Sequence, residues 1–309
     1  MSDVVVGVVM GRVGSTYRVH TALGEVTAAV RGKLKLQKHE RIVTGDVVEL
    51  EPREEGTGVI TKLRPRRSVL ARREVASRRA QPIAANVDQV LVVAATRDPD
   101  PNPRQIDRFL VIAEGTNLPA ALVVNKTDLD RAPLERLARR YAPAGYQVLG
   151  TSVRALEGLT ALRDLLSGRT TVFTGPSGVG KSSLLNALDP GLGLRTAEIS
   201  VKWRKGRHTT NATQLVPLAP SGYVVDTPGM REVGAWGIRA DSLAMCFPEF
   251  RPYLDGCRFD NCRHLTEPGC AVRRASSEGR IDPDRVVSYE RIYEEVNVPS
   301  WSSGPRRGT

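Results

Sequence analysis

The chain predicts a multidomain protein: an N-terminal OB-type β-barrel, a central α/β domain around a phosphate loop, and a C-terminal, mostly helical, zinc-binding domain. Three observations predict it. Short valine-rich segments divided by glycine fill the first 62 residues, continuous apolar runs alternate with helical periodicity from Val87, and three cysteines with a histidine crowd into 257–270. At 309 residues the chain has room for two or three domains, taking roughly 150 residues for each.

The barrel segments are Val4–Met10, Thr16–His20, Glu25–Arg31, Asp46–Glu51 and Gly58–Lys62. Gly7, Gly11, Gly14, Gly24 and Gly45 fall where tight bends or bulges belong. Five short strands suit a small closed barrel, whose open face commonly binds nucleic acid; the plainer reading is a β-domain that packs on its neighbour. The expected boundaries are 1–70 for the barrel, 71–81 for a basic linker, 82–237 for the α/β domain, 238–299 for the C-terminal domain and 300–309 for a disordered tail.

In the α/β domain, QVLVVAA (89–95) and AALVVN (120–125) are unbroken apolar runs, the pattern of parallel strands covered on both faces. Between them, Ile106, Phe109, Leu110 and Ala113 recur at helical spacing within 104–115. Residues 134–141 and 156–166 also read as helices, and YQVLG, TTVFTG and GYVVD as strands. Two further helices are expected near 271–278 and 283–296.

Composition sets limits on function. Hydrophobic residues make up 40% and charged residues 26%, close to the globular average and far from a disordered chain. The apolar stretch Val4–Met10 is seven residues long, whereas a bilayer span needs about 20, so no membrane segment is expected. MSDVVV places no basic region before an apolar core, so no secretory signal is expected either. Four cysteines in such a chain are no disulfide scaffold; reduced thiols and a cytoplasmic location follow as expectations. The formal charge of +11 suits an anionic partner, nucleic acid before membrane surface, and equally suits plain solubility. That charge is local. Thr61–Ala80 holds eight basic residues and one acid, and KWRKGR (202–207) adds four, while the stretch from Asp241 onward is near neutral.

Gly175, Pro176, Ser177, Gly178, Val179, Gly180, Lys181 and Ser182, followed by Ser183, form the G-x-x-x-x-G-K-[ST] phosphate loop, with an apolar strand before it and Leu184, Leu185 and Leu188 on a helix after it. The glycines let backbone N–H groups wrap phosphates, the helix N-terminus adds a favourable dipole, Lys181 reaches the outer phosphates and Ser182 ligates magnesium. Asp226, at the tip of GYVVD, is the expected second magnesium contact, and Gly229 is placed to offer its amide to a γ-phosphate. In the intervening GRHTT, Thr209 or Thr210 reaches the metal; spacing does not choose between them.

Asn125, Lys126, Thr127 and Asp128 follow the AALVV strand. A carboxylate at Asp128 accepts from both N1–H and the exocyclic amine of guanine, which adenine does not reciprocate. Asn125 braces the loop and contacts N7, and the Lys126 stem lies over the ring. Thr151 and Ser152, with Val153, end the next strand, where a backbone amide reaches guanine O6. Farther on, Cys257, Cys262, His264 and Cys270 supply three thiols and an imidazole within fourteen residues. This is a Cys₃His zinc set with no ligand position left open, hence a structural rather than catalytic ion; disulfides are the rival. Cys246 stands apart as a buried small hydrophobe.

Base-reading NKTD (125–128) and TSV (151–153) precede the phosphate loop, HTT (208–210) and DTPG (226–229), the reverse of the order in ordinary small GTPases. The arrangement resembles a circularly permuted GTPase domain. With the barrel and the C-x₄-C-x-H-x₅-C cluster, the chain is similar, over all but about the last 10 residues, to the RsgA family of small-ribosomal-subunit biogenesis GTPases. The resemblance implies a GTP-hydrolysing factor in late subunit maturation, with magnesium beside GTP and one structural zinc. It also implies binding to the small ribosomal subunit and its ribosomal RNA in the GTP state, turnover stimulated by the subunit, checking of the decoding region, and help in releasing another assembly factor. A monomer with no membrane partner is expected. Lys181, His208, Asp226 and Gly229 form the implied catalytic set. Met230 stands where Ras-like enzymes carry a water-orienting glutamine; the resemblance gives that role to His208, while the residues alone equally allow a surface histidine on RNA phosphate. Because the segment after Gly229 runs into the C-terminal domain, a change at the γ-phosphate is expected to pull on that domain. Two other classes stay open: a signalling GTPase with a protein or membrane partner, and a constitutive RNA-binding protein that uses GTP structurally.

Overall fold

The computed structural model describes residues 4–32, 41–54, 56–73, 80–194, 213–226 and 238–297. Strands β1 (Val5–Val13), β2 (Thr16–Thr21), β3 (Gly24–Val30), β4 (Val47–Pro52) and β5 (Thr57–Leu63) close into a barrel in the order β1-β2-β3-β5-β4, with β3 and β5 parallel, the order of an OB barrel. Val9, Val19, Ala28, Val48, Leu50 and Ile60 fill its interior. The first strand runs past the expected Met10 because a bulge between Val9 and Gly11 shifts its register against β2 and lets pairing continue to Val13.

Strands β6 (Val69–Arg73) and β7 (Ala80–Ala85) form a two-stranded antiparallel sheet that takes in both ends of the stretch read as a linker. The basic run is therefore partly spent on internal pairing. Arg66 makes two hydrogen bonds to the buried Asp46 carboxylate, at 2.7 and 2.8 Å. Arg67 pairs with Asp88 at 2.7 Å, and Arg64 with Glu49 at 3.1 Å.

The central sheet has the order β10-β9-β8-β11-β13-β12. Its strands are β8 (Gln89–Ala95), β9 (Ala120–Asn125), β10 (Gln147–Gly150), β11 (Thr170–Thr174), β12 (Gln214–Pro217) and β13 (Tyr223–Asp226), all parallel except β12. Edge strand β12 carries no apolar run long enough to stand out in the sequence. Helices α1 (Pro103–Gly115), α2 (Ala132–Tyr141), α3 (Leu159–Leu166) and α4 (Lys181–Leu188) complete the layers. Asn102 caps α1, accepting from Gln105 N–H. The helix expected from Leu156 starts at Leu159: Gly158 has φ +68°, and a Cβ there would overlap the Gly150 carbonyl. The barrel meets the edge of this sheet, with Thr44 Oγ1 donating to Thr213 O at 2.8 Å and His20 Nδ1 lying 2.9 Å from Tyr223 Oη.

The C-terminal part holds two short 3-10 segments, Leu243–Cys246 and Pro248–Gly256, then α5 (Ala271–Ser277) and α6 (Pro283–Asn297). Prolines 248 and 252 suit the tighter, irregular turns where no helical periodicity was legible. This part docks on α1, a helix buried on two sides. Ile106, Phe109, Leu110 and Ala113 pack with the sheet, while Val111 joins Leu243, Phe247, Phe250 and Tyr289. At the centre, fully buried Arg285 pairs with Asp107 at 2.6 Å and with Glu249 at 2.5 Å, its guanidinium 4.6 Å from the Phe247 ring centroid. Tyr141 Oη (2.7 Å) and Ser288 Oγ donate to the same Asp107 carboxylate. Burial works to discharge Arg285, and the two carboxylates outweigh it and keep it charged. Among the described residues no helix is long and apolar enough to cross a membrane.

Removing one partner of a buried pair strands the other charge. Asp107→Ala is expected to destabilise the chain by about 3–5 kcal/mol, while Glu295→Ala, which breaks the exposed Arg108 pair, costs at most about 1 kcal/mol. Denaturant titration by circular dichroism compares them.

Candidate active site and metal centre

Strand β11 delivers the phosphate loop and β9 the NKTD loop, and the parallel sheet brings both to its carboxyl end on either side of β8, which pairs with each. Gly175 (φ +142°) and Gly180 (φ +94°) take backbone angles that favour glycine. A Cβ at Gly175 would run into the Val93 carbonyl, and one at Gly180 into the Asn125 amide. Val179 is buried beneath the loop, Ser177 and Gly178 are exposed at its rim, and Pro176 and Ser183 are intermediate. Lys181 Nζ donates to the carbonyls of Gly175 (2.8 Å) and Pro176, so its ammonium lies within the loop. Ser182 is buried in the first turn of α4.

Asn125 joins the two motifs. Its Nδ2 donates to Val179 O at 2.9 Å, and its Oδ1 accepts from Thr151 Oγ1 at 3.2 Å. Thr127 is buried, its backbone N and Oγ1 both 3.1 Å from Thr151 O. The exposed carboxylate of Asp128 accepts from Ser152 Oγ at 2.5 Å, and that oxygen accepts from Ala155 N at 2.9 Å. Lys126, at φ +63°, donates to the carbonyl of Asp98. One constellation thus holds an oriented carboxylate, a wrapped loop and a lysine, which is what a nucleoside polyphosphate with a polar base edge requires. Asp226 ends β13 next to β11, so its backbone position is set. His208, Thr209, Thr210 and Gly229 lie outside the described residues. Thr96 and Asp98 also join this constellation, and the sequence marked neither: a polar residue ending a fully apolar strand was the available signal for Thr96.

The second centre gathers Cys257, Cys262, His264 and Cys270, whose ligand atoms all lie within 4.8 Å of one another. His264 Nδ1 is 3.5 Å from the sulfurs of both Cys257 and Cys270. A tetrahedral ion with about 2.3 Å bonds to sulfur and 2.05 Å to nitrogen has S···N edges of about 3.6 Å, so the donor set fits zinc. His264 (φ +60°) and Gly269 (φ +75°) make the bends that turn the ligands inward. Burial pushes the Cys262 thiol up to about 12, and a cation is what lets such thiols ionise. Burial also lowers the His264 pKa and favours the neutral imidazole a metal binds. Glu267 braces the turn by accepting from the backbone N–H groups of Arg263, Leu265 and Thr266, at 2.9–3.1 Å.

Comparison with known proteins gives one family. A sequence model of the RsgA GTPase matches residues 63–236. The small ribosomal subunit biogenesis GTPase RsgA of Gemmatimonas aurantiaca is 48% identical over 303 residues, covering 96% of this chain and 99% of that protein. Its counterpart in Moorella thermoacetica is 40% identical over 290 residues, covering 94% and 97%. Among solved structures, YjeQ from Thermotoga maritima superposes with a TM-score of 0.78 at 33% identity, covering 96% of this chain and all of that one. YloQ, described as a circularly permuted GTPase, gives 0.75 at 27% identity, covering 99% and 98%.

Chelation tests the metal centre. Stripping the cluster is expected to release one zinc per chain and to lower the melting temperature, with cooperative unfolding restored by added zinc. Melting indifferent to chelation, with zinc quantified in the same samples, would remove the structural role.

Proposed function

The chain belongs to the RsgA GTPase family, and from that premise we propose that it binds the small ribosomal subunit and its ribosomal RNA in the GTP state and leaves after hydrolysis, acting late in subunit assembly. The observation that carries the reading is the Asn125–Val179 hydrogen bond, because it ties base-reading and phosphate-wrapping loops into one pocket despite their swapped order. Near-complete coverage of relatives named for small-subunit biogenesis supports the partner.

In this reading Asp128 takes N1–H and the exocyclic amine of guanine while Ser152 fixes its rotamer. Thr151 and Ser152 offer the backbone toward O6. Residues 175–183 wrap the phosphates, and Lys181 exchanges its loop carbonyls for phosphate oxygens. Ser182 and Asp226, with Thr209 or Thr210, hold magnesium, which when bound neutralises charge on the β- and γ-phosphates. Gly229 donates its amide to the γ-phosphate, and His208 orients the attacking water. The cysteine cluster holds a structural zinc. We take 1–70 as the RNA-facing barrel, 71–81 as a basic connection, 82–237 as the GTPase domain and 238–299 as the zinc domain. The protein acts as a cytoplasmic monomer, alongside other assembly factors.

Co-sedimentation with purified small subunits tests this. Binding is expected with a non-hydrolysable GTP analogue, to weaken at least about tenfold with GDP, and to fall steeply with salt as phosphate contacts are lost. Equal binding in all nucleotide states would make GTP a structural ligand only, and no binding in any state would redirect the search to a protein partner.

The base pocket carries its own prediction. In Asp128→Asn the amide presents a donor where guanine needs an acceptor. GTP affinity is expected to drop about 10²-fold or more while xanthosine triphosphate, with a carbonyl at that position, gains. Competition against a fluorescent nucleotide measures both.

A further inference from the structure

The base-reading loop of any such pocket is only as selective as it is still, and here its stillness has an identifiable source outside the loop. Lys126 occupies the left-handed region at φ +63°, where a residue with a Cβ is strained. That conformation turns the chain between Asn125, anchored to Val179, and Asp128, anchored to Ser152. The strained residue's carbonyl accepts from Leu129 N–H at 3.0 Å within the loop, a bond that moves with the loop unless something outside it also holds that oxygen. Thr96 does: its Oγ1 donates to Lys126 O at 2.5 Å, and its backbone N donates to Asn125 O at 2.9 Å.

Thr96 is 1% exposed and stands directly after β8, a strand buried at every position. Nothing about packing asks for a hydroxyl there, since valine has the same shape and suits a strand end better. The segment it begins also takes the Lys126 ammonium on the Asp98 carbonyl and places Pro99 Cδ 3.5 Å from where a Cβ on Gly178 would sit. One short stretch, 96–99, therefore bonds to the base-reading loop and runs beside the phosphate loop.

We propose that Thr96 is a positioning residue for guanine recognition: by holding the Lys126 carbonyl, it fixes the turn that aims Asp128 at the base, and so sets both nucleotide affinity and selectivity for the 2-amino group. It acts through the loop and touches neither base nor phosphate. The inference rests on the guanine reading of this pocket. Thr96→Val keeps the volume and deletes the donor; Thr96→Ser keeps the donor.

The test compares wild type, Thr96→Val and Thr96→Ser for release of a fluorescent GDP, for the GDP/IDP affinity ratio, and for kcat at saturating GTP, with melting temperature recorded for each. Losing one buried hydrogen bond predicts GDP release about tenfold faster in Thr96→Val. The GDP/IDP ratio should narrow, because IDP lacks the 2-amino group, while kcat at saturation stays within about twofold, since the phosphate loop is untouched. Thr96→Ser should restore release rate and ratio. A Thr96→Val chain with a lower melting temperature but an unchanged GDP/IDP ratio would make Thr96 merely structural and overturn the proposal, as would failure of Thr96→Ser to rescue. Wild-type protein that prefers ADP to GDP would instead overturn the guanine reading itself.

Discussion

The side-chain amide of Asn125 is the joint on which the rest of this molecule turns. It lies 54 positions from its partner carbonyl at Val179, and it precedes that partner, whereas ordinary small GTPases place the phosphate loop first. Permutation leaves the joint intact because a parallel sheet is indifferent to the order in which its strands are synthesised. Strand β8 pairs with β9 on one side and β11 on the other, and loops at the carboxyl ends of neighbouring strands meet whichever comes first. What permutation changes is where the ends lead. The strand bearing Asp226 now continues toward the C-terminal domain.

That continuation does not by itself make the C-terminal domain a free lever. The domain is docked on α1 through Arg285, Asp107 and Glu249, a set of charges whose desolvation is tolerable only while all three stay together. Any pull carried along the chain toward Ile238 must either separate those groups or be absorbed in the short 3-10 turns that follow it. The two routes are not independent, because Leu243 and Phe250 of those turns are buried in the docked core and Glu249, one of the three charges, lies in the second turn. The turns and the buried charges form one packed unit, so displacing the proximal end of the domain also strains the Arg285 pairing.

The sequence showed whatever periodicity and motif chemistry can show. The apolar runs of β8 and β9, the glycines at 175 and 180 and the Cys/His spacing each have a physical reason that operates locally, so they were legible. The late start of α3 was not, because it depends on the Gly150 carbonyl lying against Gly158, a contact made only once β10 is in the sheet. The pairing of β6 with β7 was hidden under a run of arginines that reads as a solvated linker. Arg285 looks like any helical surface arginine until Asp107, 178 residues away, is placed beside it. Thr96 was invisible for the same reason: its significance lies in the carbonyl it faces, not in its neighbours along the chain.

The basic run shows how far a sequence charge can differ from a surface charge. Of the residues between 61 and 67, Lys62, Arg64, Arg66 and Arg67 all face carboxylates in the fold, those of Glu49, Asp46 and Asp88. Arg66 in particular serves the barrel, since Asp46 is fully buried and would be an unpaired anion without it. The exposed pairs are different: water and salt already weaken them, so a polyanion can take over Lys62, Arg64 or Arg67 at small cost by displacing a carboxylate. For a polyanion, engaging these residues is an exchange of partners rather than the filling of an empty positive patch. The net gain at Lys62, Arg64 and Arg67 is therefore smaller than three bare cations suggest.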